Sequence, residues 1–362
     1  MAFQDQHCQA TKAKGPINPS TCMPGSHGFV IRPAGLFVMR FGVCGRQSQG
    51  GREYQEDSWL VSTPDTGAVL NDNAGAPRKT GAPLLVVLSD GIGSGGHGDV
   101  ASQFIVTRFR NHLKEAGCVS PEALRAAITR TDKDLSQLKK DKGYGRSMGG
   151  TLVAGCFDES SLTFLSVGDS HLFRFRDDEI HYMNEKHRFG SEQDELAGLG
   201  RKAWPEALRQ YGRSSITSAV IGSGIEVCQV ATRDVRPGDL YIFASDGVDT
   251  IDGELLRRLV SCFQGARQPE ALDTILTAVD ETGKVNEGGE HDNTTLVMVR
   301  CEARPAEARD SSRPGSAPST RADASLSGNR AAWTSRLPGF ALLAAVLLFA
   351  LLSLSFWPSI PM

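Results

Sequence analysis

The chain is 362 residues long, 40% hydrophobic and 22% charged, proportions that exclude a collagen, a mucin or a wholly disordered chain and allow one large domain or two ordinary ones. Lys and Arg number 39 against 42 Asp and Glu, a formal charge of -3, which is too balanced to point to general binding of a nucleic-acid backbone. The eight cysteines stand singly, without a Cys-x-x-Cys pair or short-loop framework, so no zinc site or disulfide scaffold is implied and a reducing compartment fits.

Residues 1–35 mix Gln, Gly, Pro, Ser and Thr without apolar periodicity, and are expected to form a disordered N-terminal extension that carries no secretion signal. A domain is expected over 36–300. Short β-type runs occur at 84–88, 152–157, 162–167, 172–175, 240–244 and 295–299, and Arg176-Asp177-Asp178-Glu179 reads as a tight hairpin turn leading into a strand at 180–183. Helical spacing predicts a helix over 100–115, with Phe104, Ile105, Phe109 and Leu113 on one face. A second is predicted over 121–138, with Ser120 as its cap and Leu124, Ile128, Leu135 and Leu138 inward. A further pair is expected at 253–263 and 269–281. Strand clusters alternating with helix pairs, without regular β-α-β units, make the class α+β.

From 301 to 336 the composition shifts to Ala, Ser, Pro, Gly and Arg, and a disordered linker is expected there. The run at 340–357, FALLAAVLLFALLSLSFW, has no charge. As a helix it is about 27 Å long at 1.5 Å per residue, and extension back to Leu337 brings it to the roughly 30 Å of a bilayer core. A single transmembrane helix over 337–357 is therefore expected, followed by a short tail at 358–362. Arg330 and Arg336 precede the run and no charged side chain follows it, so the positive-inside rule keeps the domain in the cytoplasm, tethered to the inner (cytoplasmic) membrane.

Acids mark the ends of the apolar strands. Asp90 follows VVLS, Asp169 follows LSVG, Asp246 follows YIFAS, and Asp292 opens the way into the last strand. One Asp-Gly pair is an ordinary turn signal; the repetition suggests a shared rim. Carboxylates crowded at such a rim raise one another's pKa values and oppose folding unless cations lie between them. All-oxygen donors suit Mg²⁺ or Mn²⁺. Two such ions about 3.5–4 Å apart can hold a nucleophilic hydroxide and neutralise phosphoryl oxygens, which points to phosphate-ester hydrolysis. Arg52, with a planar fork able to grip two phosphate oxygens, lies in the same segment as Glu56 and Asp57.

These residues resemble the metal-dependent protein serine/threonine phosphatases of the protein phosphatase 2C type, over about 37–300. The motifs follow the family's order: Arg52-x-x-Gln55-Glu56-Asp57; Ser89-Asp90-Gly91, with Gly93 and then Gly98-Asp99-x-Ala101-Ser102; Gly149-Gly150-Thr151; Val167-Gly168-Asp169-Ser170; Ser245-Asp246-Gly247; and Asp292-Asn293-x-Thr295. The resemblance implies a four-layer sandwich, two central antiparallel sheets flanked by helices. It also implies two Mn²⁺ or Mg²⁺ ions with a weaker third. Asp90 would bridge the two ions, Gly91 would offer its carbonyl, Glu56 would serve the second ion, and Asp246 with Asp292 the first. Asp169 would join Asp246 at the third. Arg52 would bind the substrate phosphate, Asp57 would orient water, and Asn293 would be structural. The segment 188–212 lies where the family carries a flap, and 216–222 resembles the return from it. Gln55, Asp99 and Gly150 depart from the family's Asn, Glu and Thr. Ile92 stands where many eukaryotic relatives have His, so a protein-borne acid for the departing alkoxide is not expected there, and water on the metal is expected to serve. His97 and His291 are secondary candidates, as acid and as a partner of Asp292 respectively.

The expected function is hydrolysis of phosphoserine and phosphothreonine in proteins, opposing a Ser/Thr kinase at the cytoplasmic membrane face. The alternative is a non-catalytic phosphoprotein-binding pseudophosphatase. Phosphorylated proteins and the membrane are the expected partners, and nucleic acid is not.

Overall fold

The computed structural model describes residues 37–70, 78–93, 96–188, 216–263 and 267–305. The chain divides into two units, Met1–Glu307 and Ala308–Met362, and every described residue belongs to the first. The expected N-terminal extension, the apolar run at 337–357, the tail and most of the flap segment lie outside the described residues. Among the described residues, no helix is long and apolar enough to cross a membrane.

Two antiparallel sheets form the centre. The six-stranded sheet runs β10 (Glu179–Tyr182), β9 (His171–Arg176), β12 (Leu240–Ala244), β13 (Thr294–Pro305), β1 (Phe37–Ser48), β3 (Arg78–Gly81). The five-stranded sheet runs β11 (Gln229–Asp234), β8 (Ser161–Val167), β7 (Leu152–Phe157), β4 (Leu84–Ser89), β2 (Ser58–Ser62). A two-stranded ribbon, β5 (Gly91–Ile92) with β6 (Gly149–Gly150), projects beyond the end of β4.

Period-two alternation divides each central strand between two cores. Met39, Phe41 and Val43 of β1, Tyr241 and Phe243 of β12, and Leu84, Val86 and Leu88 of β4 meet in the core between the sheets. The intervening Leu85 and Val87 face α1 (Gly98–Ala116) and α2 (Pro121–Lys142), joined there by Ile105, Phe109, Leu113, Leu124, Ile128 and Leu135. Leu240, Ile242, Leu296 and Met298 face the other way, onto α3 (Gly253–Ser261) and α4 (Gln268–Asn286). Burial on both faces explains why these strands read as continuous apolar runs rather than alternating ones. Ser120 caps α2 as expected, its hydroxyl accepting from the Ala123 N–H at 3.1 Å. The expected hairpin is present, with Asp177 and Asp178 both at positive φ, 55° and 63°, the geometry whose twist matches the paired strands.

One expectation needs correction, and one strand was not expected. The linker does not begin at Cys301: β13 continues to Pro305, pairing Cys301 with Phe41 and Pro305 with Phe37. Cys301 is buried between the sheets, while the polar composition of the next residues masks the strand. β1 itself is absent from the apolar runs because glycines and arginines interrupt it. A Cβ on Gly45 would stand 2.5 Å from the Trp59 ring, and one on Gly42 2.9 Å from Gln268 Oε1, so these glycines admit close neighbours and do not mark turns.

Phe157 is fully buried in the inter-sheet core, its ring 5.3 Å from Phe41 and 5.2 Å from Tyr241 between centroids. Phe157→Ala should cost about 3–5 kcal/mol in urea unfolding of the full chain; a loss under about 1 kcal/mol would contradict close packing between the sheets.

Candidate functional site

The acids stand at one end of the two sheets. Asp90 follows β4 and Asp169 follows β8, both of the five-stranded sheet; Asp57 immediately precedes β2. Asp246 follows β12 and opens a short 3-10 helix, Asp246–Thr250, while Asp292 lies two residues before β13. Antiparallel pairing makes the end of one strand adjacent to the start of its neighbour, so acids at such ends meet.

The loop after β1 is drawn onto this end by backbone and amide contacts. Gly51 N–H donates to His291 O at 2.9 Å. Asn293 Nδ2 donates to Gln49 O at 2.7 Å and Tyr54 O at 3.0 Å, while its Oδ1 accepts from the Glu56 N–H at 2.7 Å. Arg52 Nη2 then reaches Asp292 Oδ2 at 2.7 Å. Glu56 Oε1 accepts from Gly98 N–H, the first residue of α1, at 3.1 Å. A Cβ on Gly98 would displace that oxygen, 2.5 Å away, and one on Gly91 would lie 2.3 Å from Gly98 O, backbone that cannot yield, so Gly91 must be glycine.

Asp57 is 4% exposed. Its Oδ2 accepts from Ser245 Oγ and Thr295 Oγ1, each at 2.7 Å. Those hydroxyls hold one oxygen while Oδ1 has no hydrogen-bond partner. Asp169 Oδ1 and Asp246 Oδ1 are likewise buried without partners. Asp90 and Asp246 lie close enough to act on each other's ionisation.

The buried acids act on one another's charge. Asp90 is driven well above the usual carboxylate range, first by desolvation and then by the charges of Asp57, Asp246, Asp292 and Asp169. Burial also raises Asp57 to about 7 against the pull of its two hydroxyl partners, and burial with Asp246 beside it raises Asp169 to about 7. Glu56 and Asp246 rise for the same first reason, desolvation. Glu56 also feels Asp292 and Arg52. At the hollow's other edge, Asp249 accepts from Lys186 at 2.8 Å and approaches His171 at 3.0 Å.

Arg52, Glu56, Asp57, Asp90, Asp169, Asp246 and Asp292 are thus brought together as the motifs suggested, with Gly91 paired to Gly150 in the ribbon at their side. Among the described residues, no group of three or more His, Cys, Asp or Glu side chains stands as it is in a position to hold a metal ion, and one oxygen of Asp292 is held by Arg52. The donor set still fits hard divalent ions: it is all oxygen, three buried carboxylate oxygens lack partners, and the mutual repulsion needs positive charge. The two histidines lie elsewhere. His97 is exposed, and its ring centroid lies 4.5 Å from that of Tyr144 with the planes tilted by 44°. His291 Nε2 meets Asp280 Oδ1 on α4 at 3.0 Å and not Asp292. Ser245 and Thr295 stand in the motifs without a role assigned from sequence, and the structure gives them one, holding Asp57; Asn293, expected to be structural, closes the loop through its side-chain amide.

A family model described as protein phosphatase 2C matches residues 62–280, more than half of the chain. The chain belongs to the protein phosphatase 2C family. Arg52, Glu56, Asp57 and Asp292 flank the matched stretch on either side. The serine/threonine protein phosphatase PstP of Mycobacterium tuberculosis is 28% identical over 218 residues, 59% of this chain, and the match spans only 40% of that relative's length. The Listeria innocua serine/threonine phosphatase stp is 24% identical over 234 residues, 63% of this chain and 88% of the relative. Among solved structures, M. tuberculosis PstP superposes with TM-score 0.56 at 24% identity over 73% of this chain and 99% of that one. The PstP catalytic domain crystallised with two manganese ions gives 0.55 at 22% identity, over 73% and 99%. These family members share the fold.

The raised pKa values give a pH dependence with a definite sign. For Asp57 and Asp169, a folded pKa of about 7 against an ordinary 3.8 means that their contribution to stability is full below about pH 4 and is lost as pH rises through about 7. In EDTA, the thermal midpoint should fall between pH 5 and pH 8, and Mn²⁺ should raise it more at pH 8 than at pH 5. A metal-free midpoint that climbs across that range would contradict the electrostatic crowding.

Proposed function

We propose that this chain hydrolyses phosphoserine and phosphothreonine esters in proteins with the help of two Mn²⁺ or Mg²⁺ ions. The observation that carries the reading is the meeting of five aspartates and Glu56 from separate strand ends in one hollow, with the Arg52 guanidinium at its rim. Support comes also from family membership and from the phosphatase names of the relatives, one of which crystallised with two manganese ions.

In this reading Asp90, Asp246, Asp292, Glu56 and the Gly91 carbonyl would hold the two ions, and Asp169 with Asp246 a weaker third. When bound, the ions would supply an activated water and the positive charge that offsets the phosphoryl oxygens. Arg52 is half-exposed and already paired to one carboxylate; it exchanges Asp292 for the substrate's phosphate and orients it through two parallel hydrogen bonds. Asp57, with Oδ2 fixed by Ser245 and Thr295, presents Oδ1 to a water in the hollow and sets its direction. Ile92 has no proton to give, so the departing alkoxide takes its proton from water.

The substrates are phosphoproteins of a cognate Ser/Thr kinase, met at the cytoplasmic face of the inner membrane, to which the apolar run at 337–357 tethers the domain. The length of that run and the arginines on one side of it support this reading.

A phosphothreonine peptide should be hydrolysed with Mn²⁺ or Mg²⁺ and not in EDTA. Asp246→Asn should lower kcat/KM on the order of 10²-fold or more, whereas Arg52→Ala should act chiefly on KM. Turnover that survives both EDTA and Asp246→Asn would reject the proposal, and phosphopeptide binding without release of phosphate would favour a pseudophosphatase. A chain truncated at Arg336 should leave the membrane fraction on a salt wash; retention would reject the tether.

A further inference from the structure

Asp132 and Lys139 lie seven residues apart on α2, two turns, and so on one face. Asp132 is 4% exposed, and its two oxygens accept from Gly222 N–H at 2.6 Å and Gly224 N–H at 2.9 Å. Both glycines have positive φ, 75° and 101°, a turn that other residues adopt only with strain. Lys139 Nζ donates to three backbone carbonyls: Arg146 O at 2.6 Å, Met148 O at 2.8 Å and Ile221 O at 2.9 Å. An ammonium has three protons, and all are used.

These carbonyls bracket the glycine ribbon of the hollow. Val220 and Gly150 exchange both backbone hydrogen bonds, at 2.9 and 3.1 Å, and Gly150 in turn pairs with Gly91. Thr151 N–H donates to Asp90 O at 2.8 Å. The layers touch backbone to backbone: a Cβ on Gly149 would lie 2.5 Å from Val220 O, and one on Gly150 2.7 Å from Asp90 O. Ile221 also packs its Cγ2 against Gly149, where a Cβ would lie 2.5 Å from it, so the segment that Lys139 holds lies directly against the glycine ribbon beside Asp90.

We infer that Lys139, backed by Asp132, is a positioning residue that sets the Asp90–Gly91 segment through the Val220–Gly150–Gly91 ribbon. The inference rests on reading that segment as the ion-holding one. Lys140, the next residue, is exposed, and its side chain makes no hydrogen bond or ion pair with the described residues, so it serves as a control.

The test is titration calorimetry of the full chain with Mn²⁺ alone, together with amide hydrogen exchange of the segments containing Gly91 and Gly150–Thr151. Lys139→Met should weaken Mn²⁺ binding about tenfold and speed exchange at those amides, while Lys140→Met should match the wild type in both. Should Lys139→Met fail to fold, Asp132→Asn carries the test, with the same direction and a smaller change. A lowered melting point with unchanged Mn²⁺ affinity and unchanged exchange would overturn the inference and leave a purely structural lysine. A wild-type chain that binds no Mn²⁺ would instead overturn the metal reading itself.

Discussion

Mutual repulsion among carboxylates at one end of the sandwich is the constraint around which the rest of the molecule is organised. Burying an unpaired ionised carboxylate costs several kcal/mol even after relaxation, whereas each hydrogen bond to such a group returns about 1.5–3 kcal/mol. Two hydroxyls on Asp57 and one backbone N–H on Glu56 therefore do not offset a hollow that also holds Asp90, Asp169, Asp246 and Asp292. Protons relieve the strain at low pH, and divalent cations are the proposed relief at neutral pH.

The scaffold tolerates this because the acids ride on its stiffest parts. The central strands are covered on both faces, so their ends are fixed by three apolar cores rather than by the loops that follow. Where the chain must still come close, glycine replaces side chain: Gly91 against Gly98, Gly98 against Glu56, Gly150 against Asp90. Asn293 does the complementary task, closing the loop that carries Arg52 and Glu56 with three hydrogen bonds from one side chain. The hollow is thus positioned by backbone proximity, which explains how a lysine on α2 can bear on a carboxylate it never touches.

Much of this was legible in the chain. Asp90 and Asp246 announce themselves because each ends an uninterrupted apolar run, and the 176–179 turn because two acids in a row favour left-handed backbone between strands. β1 was not legible, since its glycines make room for Trp59 and Gln268, contacts that only tertiary structure reveals. The end of β13 was missed because Glu302 and Arg304 lie on an edge whose polarity resembles a linker, while pairing with β1 continues beneath them. His291 looked like a partner for its neighbour Asp292, but its ring turns to Asp280 on α4; adjacency in sequence says nothing about the direction of a side chain at a strand entrance.

Anomalous diffraction from crystals of the chain grown with Mn²⁺ bears most directly on the role given to the crowded acids. Two peaks about 3.5–4 Å apart, lying among Glu56, Asp90, Asp246 and Asp292 with Arg52 released from Asp292, are the expected result. Manganese bound only elsewhere, with Arg52 still held by Asp292, would contradict it.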